Sequence, residues 1–323
     1  GLTIPVTVND GSESPGNAWV CSPTTTYGRY ALEESERHLP QPLRPPLRLV
    51  IGAADRGMRW ARMDRAVTVG NWLLSTNLHP AVAGIDLRAL VRDSRERWPR
   101  HAIWIRSLNT VQHADWLRAA ASAGFTLIPS RQVYLFRDAD PVRAHRDLRR
   151  DFRLLDRTDL AFVAHEDFTA ADFVQAERLY AQLYLEKYST LNPHYTAAFL
   201  RSWHEAGLLE CAGFRDDMGV LRAMVGMFGI GSGLTAPIVG YDTSWSQSVG
   251  LYRRVIAHVL RTARRRGADL NLSAGAAEFK RIRGGRPAIE YSAVHVGDLG
   301  ASARMLIATL RTLGMETIIA VDG

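Results

Sequence analysis

Residues 219–296 constrain the fold of this 323-residue chain more than any other stretch. Two β-favouring runs, 220–230 and 234–241, are joined through Gly231, Ser232 and Gly233, which predicts a hairpin. A helix should follow, because Tyr252, Val255, Ile256, Val259, Leu260 and Ala263 recur at the spacing of one helical face. Ser246 or Ser248 can cap its start and Gly267 can end it. In 268–273, Leu270 and Leu272 alternate with Asn271 and Ser273, the period of a strand. Strand, crossover helix and strand make a βαβ unit, so the two strands should run parallel.

The turn into that helix, Gln247, Ser248, Val249, Gly250, Leu251 and Tyr252, carries the candidate chemistry. Free N–H groups at a helix N-terminus, together with the helix dipole, favour an anion. Gly250 permits close backbone approach, and Arg253 and Arg254 add positive charge. Here the sequence resembles the GNAT acyltransferase superfamily. Its donor-binding turn reads Gln or Arg, two residues, Gly, one residue, then Gly or Ala, and holds the pyrophosphate of coenzyme A. Gln247 and Gly250 match, while Tyr252 stands at the last position. The resemblance assigns donor binding to Gln247, Ser248, Val249, Gly250, Tyr252 and Arg253.

Just downstream, Phe279, Lys280, Arg281, Ile282, Arg283 and Gly284 precede a predicted strand over 288–296. This segment resembles the Phe-Lys segment of the Fem-type nonribosomal peptidyltransferases and related two-domain GNAT proteins. Those proteins use an aminoacyl-tRNA donor, and the lysine is thought to stabilise charge near the scissile ester. Lys280 and Lys187 are the only lysines in a chain otherwise basic through arginine. A compact ammonium differs from a rigid guanidinium fork, so Lys280 stands out as a candidate. The family resemblance implies an α/β (α+β) fold of two tandem GNAT-like domains, each a mixed central sheet flanked by helices. It makes 1–140 a degenerate copy without a donor turn, and 141–323 the donor-binding domain. It also implies that the tail, 300–323, packs back on the first domain.

The first half reads as α/β: strands over 17–22, 65–74, 101–106, 125–128 and 131–136, and helices over 27–38, 47–63, 87–98 and 114–123. Residues 138–141 are the expected boundary. Arg143, Arg146, Arg150, Arg153 and Arg157 then share one helical face, either a solvated surface or a rail for RNA or carrier phosphates. A long helix over 170–188, a polar aromatic loop and a helix over 195–206 lead to the hairpin. The GNAT resemblance places the loop between such helices over the acceptor, so Tyr184, Tyr188, Asn192 and Tyr195 are candidates for its pocket. A helix over 301–313 and a strand over 317–321 should end the chain.

Hydrophobic residues make up 46% of the chain, enough for a buried core, and no apolar run has the length of a membrane span. The start of the chain has no secretory pattern. Two cysteines, Cys21 and Cys211, without metal or disulfide spacing point to a reducing cytoplasm. Forty basic against 33 acidic residues give +7, which permits an anionic partner without requiring one. The ten histidines show no metal-ligand spacing, so no metal is expected; nor is there a Gly-x-Ser-x-Gly elbow or a Walker loop.

Acyl transfer to an amine needs a polarised donor carbonyl, an uncharged amine and a protonated leaving group. In the GNAT arrangement two splayed parallel strands expose the amides that hold the donor. Pro237 cannot donate to a ladder, so it marks an edge or a bulge where the strands would part. Asp242 is the first candidate for drawing the amine's proton, or else a turn cap; Tyr241, Glu278 and Tyr291 are its rivals. Lys280 would stabilise the oxyanion or hold a donor phosphate, with Arg281, Arg283 and Arg286 binding outer phosphates. The expected function is N-acyl transfer from a phosphopantetheine thioester, acyl-CoA or acyl-carrier protein, to an amine of a small molecule or peptide. The alternative is aminoacyl-tRNA-dependent transfer of the Fem type, and the third reading is a non-catalytic RNA-binding module. No tightly bound cofactor is expected.

Overall fold

The computed structural model describes residues 3–11, 17–38, 41–137, 145–157, 159–297 and 299–322. The expected boundary at 138–141 and Arg143 lie outside them. In chain order the first elements are β1 (Val6–Asp10), α1 (Ala31–His38), α2 (Arg44–Trp60), β2 (Arg65–Val69) and α3 (Leu87–Arg97). Next come β3 (Ala102–Asn109), α4 (Ala114–Ser122), β4 (Thr126–Phe136), α5 (Arg146–Leu155) and β5 (Ala161–Val163). They are followed by α6 (Ala170–Tyr180), α7 (Ala197–Glu205), β6 (Glu210–Arg215), β7 (Leu221–Ile230) and β8 (Gly233–Tyr241). The last are α8 (Leu251–Arg266), β9 (Asp269–Asn271), α9 (Ala277–Arg281), β10 (Arg286–His295) and α10 (Ala301–Asp322). Strands and helices mix along the chain, and they group into two compact units.

The first unit comprises Gly1–Arg131, Leu191–Pro193 and Ile289–Gly323. Strand β2 pairs antiparallel with β1 and parallel with β3, and β3 pairs antiparallel with β10, with a register break between Tyr291 and Ala293. Both faces of this sheet are apolar: Val67, Ile103, Ile105, Leu108 and Trp116 fill one cluster, and Met58, Trp104, Val294 and Ile307 another. Asp86 starts α3 by accepting from the Arg88 and Ala89 amides at 2.9 and 3.0 Å.

Four expectations change here. Residues 17–22 form a turn rather than a strand, with the Trp19 amide bonded to Leu191 O and the Arg106 and Arg131 guanidiniums each 4.9 Å from the centre of its ring. The strand expected over 65–74 ends at Val69 and gives way to a polar loop tied by Asn71 and Asn77 side chains. The two strands expected over 125–136 are one, β4, which runs through Pro129. The strand expected over 317–321 is the last part of α10. No proline or turn interrupts that helix, so its propagation overrides the β-branched bias of Thr317, Ile318 and Ile319.

The second unit, Gln132–Thr190 with His194–Ala288, carries the strand order β4-β9-β8-β7-β6-β5. Strands β5 to β8 form an antiparallel meander, β8 is parallel to β9, and β9 is antiparallel to β4. Val255, Val259 and Ala263 of α8 pack on Val225, Met227 and Val239, which confirms the stripe read from the sequence. On α6, Thr169 and Asp172 form a capping box. The helix runs on through a widened π turn, Ala181–Glu186. The α6 backbone lies so close to β8 that a Cβ on Gly240 would stand 2.8 Å from both Leu179 Cβ and Tyr180 N.

Gly240→Ala should therefore cost about 1–3 kcal/mol, since backbone rather than a side-chain tip must move. Urea unfolding measures it; an unchanged midpoint would show that α6 yields freely.

Candidate functional site

The geometry starts from a defect in the hairpin. Gly226 faces Ile238 and Phe228 faces Thr235, so Ala236 and Pro237 together oppose Met227 alone. Pro237 thus sits in a β-bulge, where a missing N–H is tolerated. Beyond it β8 and β9 part: their parallel pairing covers only Gly233–Thr235 against Asp269–Asn271. Strand β9 turns towards β4, with the Leu272 amide on Tyr134 O at 3.0 Å. On its other edge β8 stays with β7, where the Asp242 amide bonds to Arg222 O at 2.8 Å. Hydrogen-bonded pairs alternate along an antiparallel ladder, so the amides of Val239 and Tyr241 point away from β7, into the gap.

Lys280 secures the departing strand. The residue is 4% exposed, and its ammonium donates to Leu272 O at 2.7 Å, to Ser273 O at 3.2 Å and to Ala274 O. Ser273 holds a left-handed φ of 61°, which lets the three carbonyls converge. The short helix α9 presents this lysine from within and leaves Glu278 exposed at its start.

The turn before α8 takes the expected place. Neither serine caps α8, whose N-cap is Gly250; Ser246 instead caps the tight turn before it, formed by the exposed Gln247 and Ser248 with Val249, by accepting from the Ser248 amide. Gly250 adopts φ 72°, the left-handed conformation glycine takes at least cost. The first bond of the new helix is Arg254 N to Gly250 O. The helix therefore supplies no acceptor for the amides of Leu251, Tyr252 and Arg253. Its charges are already paired. Asp151, 1% exposed, accepts from Arg253 Nε and Arg283 Nε, each at 2.6 Å. Arg254 is fully buried and forked onto both Asp159 oxygens, at 2.6 and 2.8 Å, with Nε on Val249 O. Neither carboxylate was singled out from sequence, although Asp151 stands at helical spacing between the buried Leu148 and Leu154.

Asp242 closes the end of β8. It accepts from Arg222 Nη1 at 2.9 Å and from the Ser244 amide and hydroxyl at 3.0 and 2.6 Å. Burial opposes its charge, but the bonds from Ser244 and Arg222 outweigh burial and hold its carboxyl below the usual range. Beside it, Tyr241, Tyr252 and Phe279 form a chain of rings, with centroids 5.8 and 4.9 Å apart. Burial, and then the neighbouring Tyr188 hydroxyl, raise the pKa of Tyr241 and of Tyr252. Tyr188 leads through Tyr184 and Tyr180 to Tyr195, a second aromatic row with centroids 6.2, 4.8 and 5.0 Å apart. Tyr184, Tyr188 and Tyr195 are thus brought together. Asn192 and Tyr291 belong to the first unit: Asn192 accepts from Trp19 Nε1 at 3.0 Å, and Tyr291 packs against the cluster of Val67 and Ile105.

A cleft of about 490 Å³ opens between α5 and the other end of α8, lined by Phe152, Leu260, Arg264 and Asp269. Among the described residues no three His, Cys, Asp or Glu side chains gather as a metal site, and no helix is long and apolar enough to cross a membrane.

No family model matches the sequence, and no curated protein matches it significantly. Solved structures do resemble it. One is the C-terminal domain of a candidate lysylphosphatidylglycerol synthetase from Agrobacterium fabrum, 14% identical, covering 77% of this chain and 82% of its own, with TM-score 0.51. Another is L-PGS from Bacillus licheniformis, 9% identical, covering 76% and 82%, also at 0.51. FemX is 12% identical over 64% of this chain and 76% of its own, at 0.48. The likeness to the first two shows a shared fold, a mixed α/β architecture.

Lys280→Met should destabilise the protein by about 2–3 kcal/mol, because it leaves buried carbonyls without their donor. Equilibrium unfolding tests this; a variant of full stability would remove the lysine from the support of β9. Asp242→Asn should cost about 1 kcal/mol at neutral pH. The folded pKa of Asp242 lies below its unfolded value of about 4, so its stabilisation is present above that pH and fades as pH falls through the folded value. The stability curves of variant and parent should accordingly converge in acid; a constant offset would contradict the assignment.

Proposed function

We propose that the chain is an acyltransferase that moves an acyl group from a phosphopantetheine thioester, acyl-CoA or acyl-carrier protein, to an amine. The observation that carries this reading is the gap between β8 and β9, with the Val239 and Tyr241 amides turned into it. Such fixed donors stabilise the oxyanion that forms as the amine adds to the carbonyl. The new N–C bond forms, the C–S bond breaks, and the leaving sulfur needs a proton. Tyr252 is the candidate to supply it, since a tyrosine hydroxyl is protonated at neutral pH. Asp242, weakened as a base by Ser244 and Arg222, relays the amine's proton through water, with Tyr241 and Glu278 as the other candidates. Tyr184, Tyr188 and Tyr195 line the acceptor side, and the Leu251, Tyr252 and Arg253 amides face the carrier's phosphate. Lys280 acts on the site through the backbone of β9. A cytoplasmic setting, and an origin of the two units as tandem GNAT-like domains, belong to the same proposal.

A second reading is transfer from an aminoacyl-tRNA ester to an amine or hydroxyl, with tRNA as partner. It is favoured by the pairing of Arg253, Arg254 and Arg283 with internal carboxylates, and by the likeness to synthetase domains named for lysylphosphatidylglycerol.

Donor consumption with acyl-CoA, acyl-carrier protein and aminoacyl-tRNA, each supplied with a mixed amine panel, tests both readings. Tyr252→Phe should lower kcat about 100-fold and leave the donor KM unchanged. If the protein consumes none of the three donors, the proposal fails.

A further inference from the structure

Helix α5 lies on the turn in a way that bears on what the turn can bind. Leu154 Cδ2 stands 2.7 Å from where a Cβ on Gly250 would be, so the open face of the glycine is covered by protein. One helical turn earlier, Asp151 takes the Nε donors of both Arg253 and Arg283. Two arginines beside free helix amides would otherwise form a clamp for phosphate. Asp159 neutralises the third arginine, Arg254, and keeps its charge from a ligand.

We infer that Asp151 is a specificity residue: by holding Arg253 and Arg283 it removes the arginine clamp for a second phosphate, so that the turn rejects pyrophosphate-bearing donors while its amides can still face the single phosphate of a carrier. This rests on the acyl-transfer reading and narrows it to donors that bring no pyrophosphate to Gly250. An anion arriving at the turn meets guanidiniums whose Nε donors are already committed to a buried carboxylate. The carboxylate cannot be outcompeted easily, because it is almost wholly shielded from water and bonded through both oxygens.

Calorimetric titration at low salt, with inorganic pyrophosphate and then coenzyme A as probes, decides the matter. Asp151→Asn should tighten pyrophosphate binding at least tenfold over the parent protein, and adding Gly250→Trp should abolish that gain. An ion pair with a merely structural role would lose stability on this substitution without gaining affinity. Equal or weaker binding by Asp151→Asn overturns the inference. If that variant does not fold, the parent protein decides: it should bind pyrophosphate no more tightly than inorganic phosphate, and a clear preference for pyrophosphate overturns the inference. Acyl transfer is followed separately. Tighter pyrophosphate binding in a protein that consumes no donor would leave this inference standing and sink the acyl-transfer reading. Unchanged binding alongside normal turnover would do the reverse.

Discussion

Three residue pairs are all that hold β8 to β9, and what they leave unbonded defines the candidate site. A parallel pair that stops early strands its remaining amides, and stranded amides must find water, a side chain or a ligand. Here two devices keep the strands apart. The bulge at Ala236 and Pro237 re-aims β8, and Lys280 gathers the carbonyls at the end of β9 so that the departing backbone is satisfied elsewhere. Without the second device β9 would end in buried acceptors with no donor, a cost comparable to a sizeable part of a domain's stability. The lysine that stands out in an arginine-rich sequence thus bears on the site through the main chain. A three-donor ammonium on a flexible stem can meet several converging carbonyls, which a planar fork cannot.

The second constraint is electrostatic. The start of α8 offers the partial positive charge of its first amides, yet the arginines close by are already paired: Arg253 and Arg283 share Asp151, and Arg254 holds Asp159. Arg222 is likewise shared between Asp216 and Asp242. The chain carries a net charge of +7, but around this turn the positive charge is paired inside the fold. The uncharged features, the strand gap and the rows of aromatic rings, are left to carry recognition.

Local pattern made the second unit legible. Gly250 and Gly267, the stripe of α8 and the hairpin were readable because each depends on residues within one turn or one strand of each other. What could not be read were pairings across long separations. Asp151 and Arg283 are 132 residues apart, and nothing in either neighbourhood announces the other. Lys280 was visible as an oddity of composition, but its carbonyl partners follow from the left-handed Ser273, which has no sequence signature. In the first unit the β-branched end of α10 carries strand propensity, which reports fit to a sheet, and the segment continues the helix instead.

The widened π turn of Ala181–Glu186 has a consequence for the row of tyrosines. In an ordinary helix, residues four apart drift about 40° around the axis, so a column of rings at that spacing winds off to one side. A turn that closes on the fifth residue instead of the fourth winds back against this drift. Tyr180, Tyr184 and Tyr188 thereby stay in a line, each ring next to the one before. The alignment is a matter of phase, fixed by one surplus residue, and a single deletion in this segment would scatter the column while sparing every side chain in it.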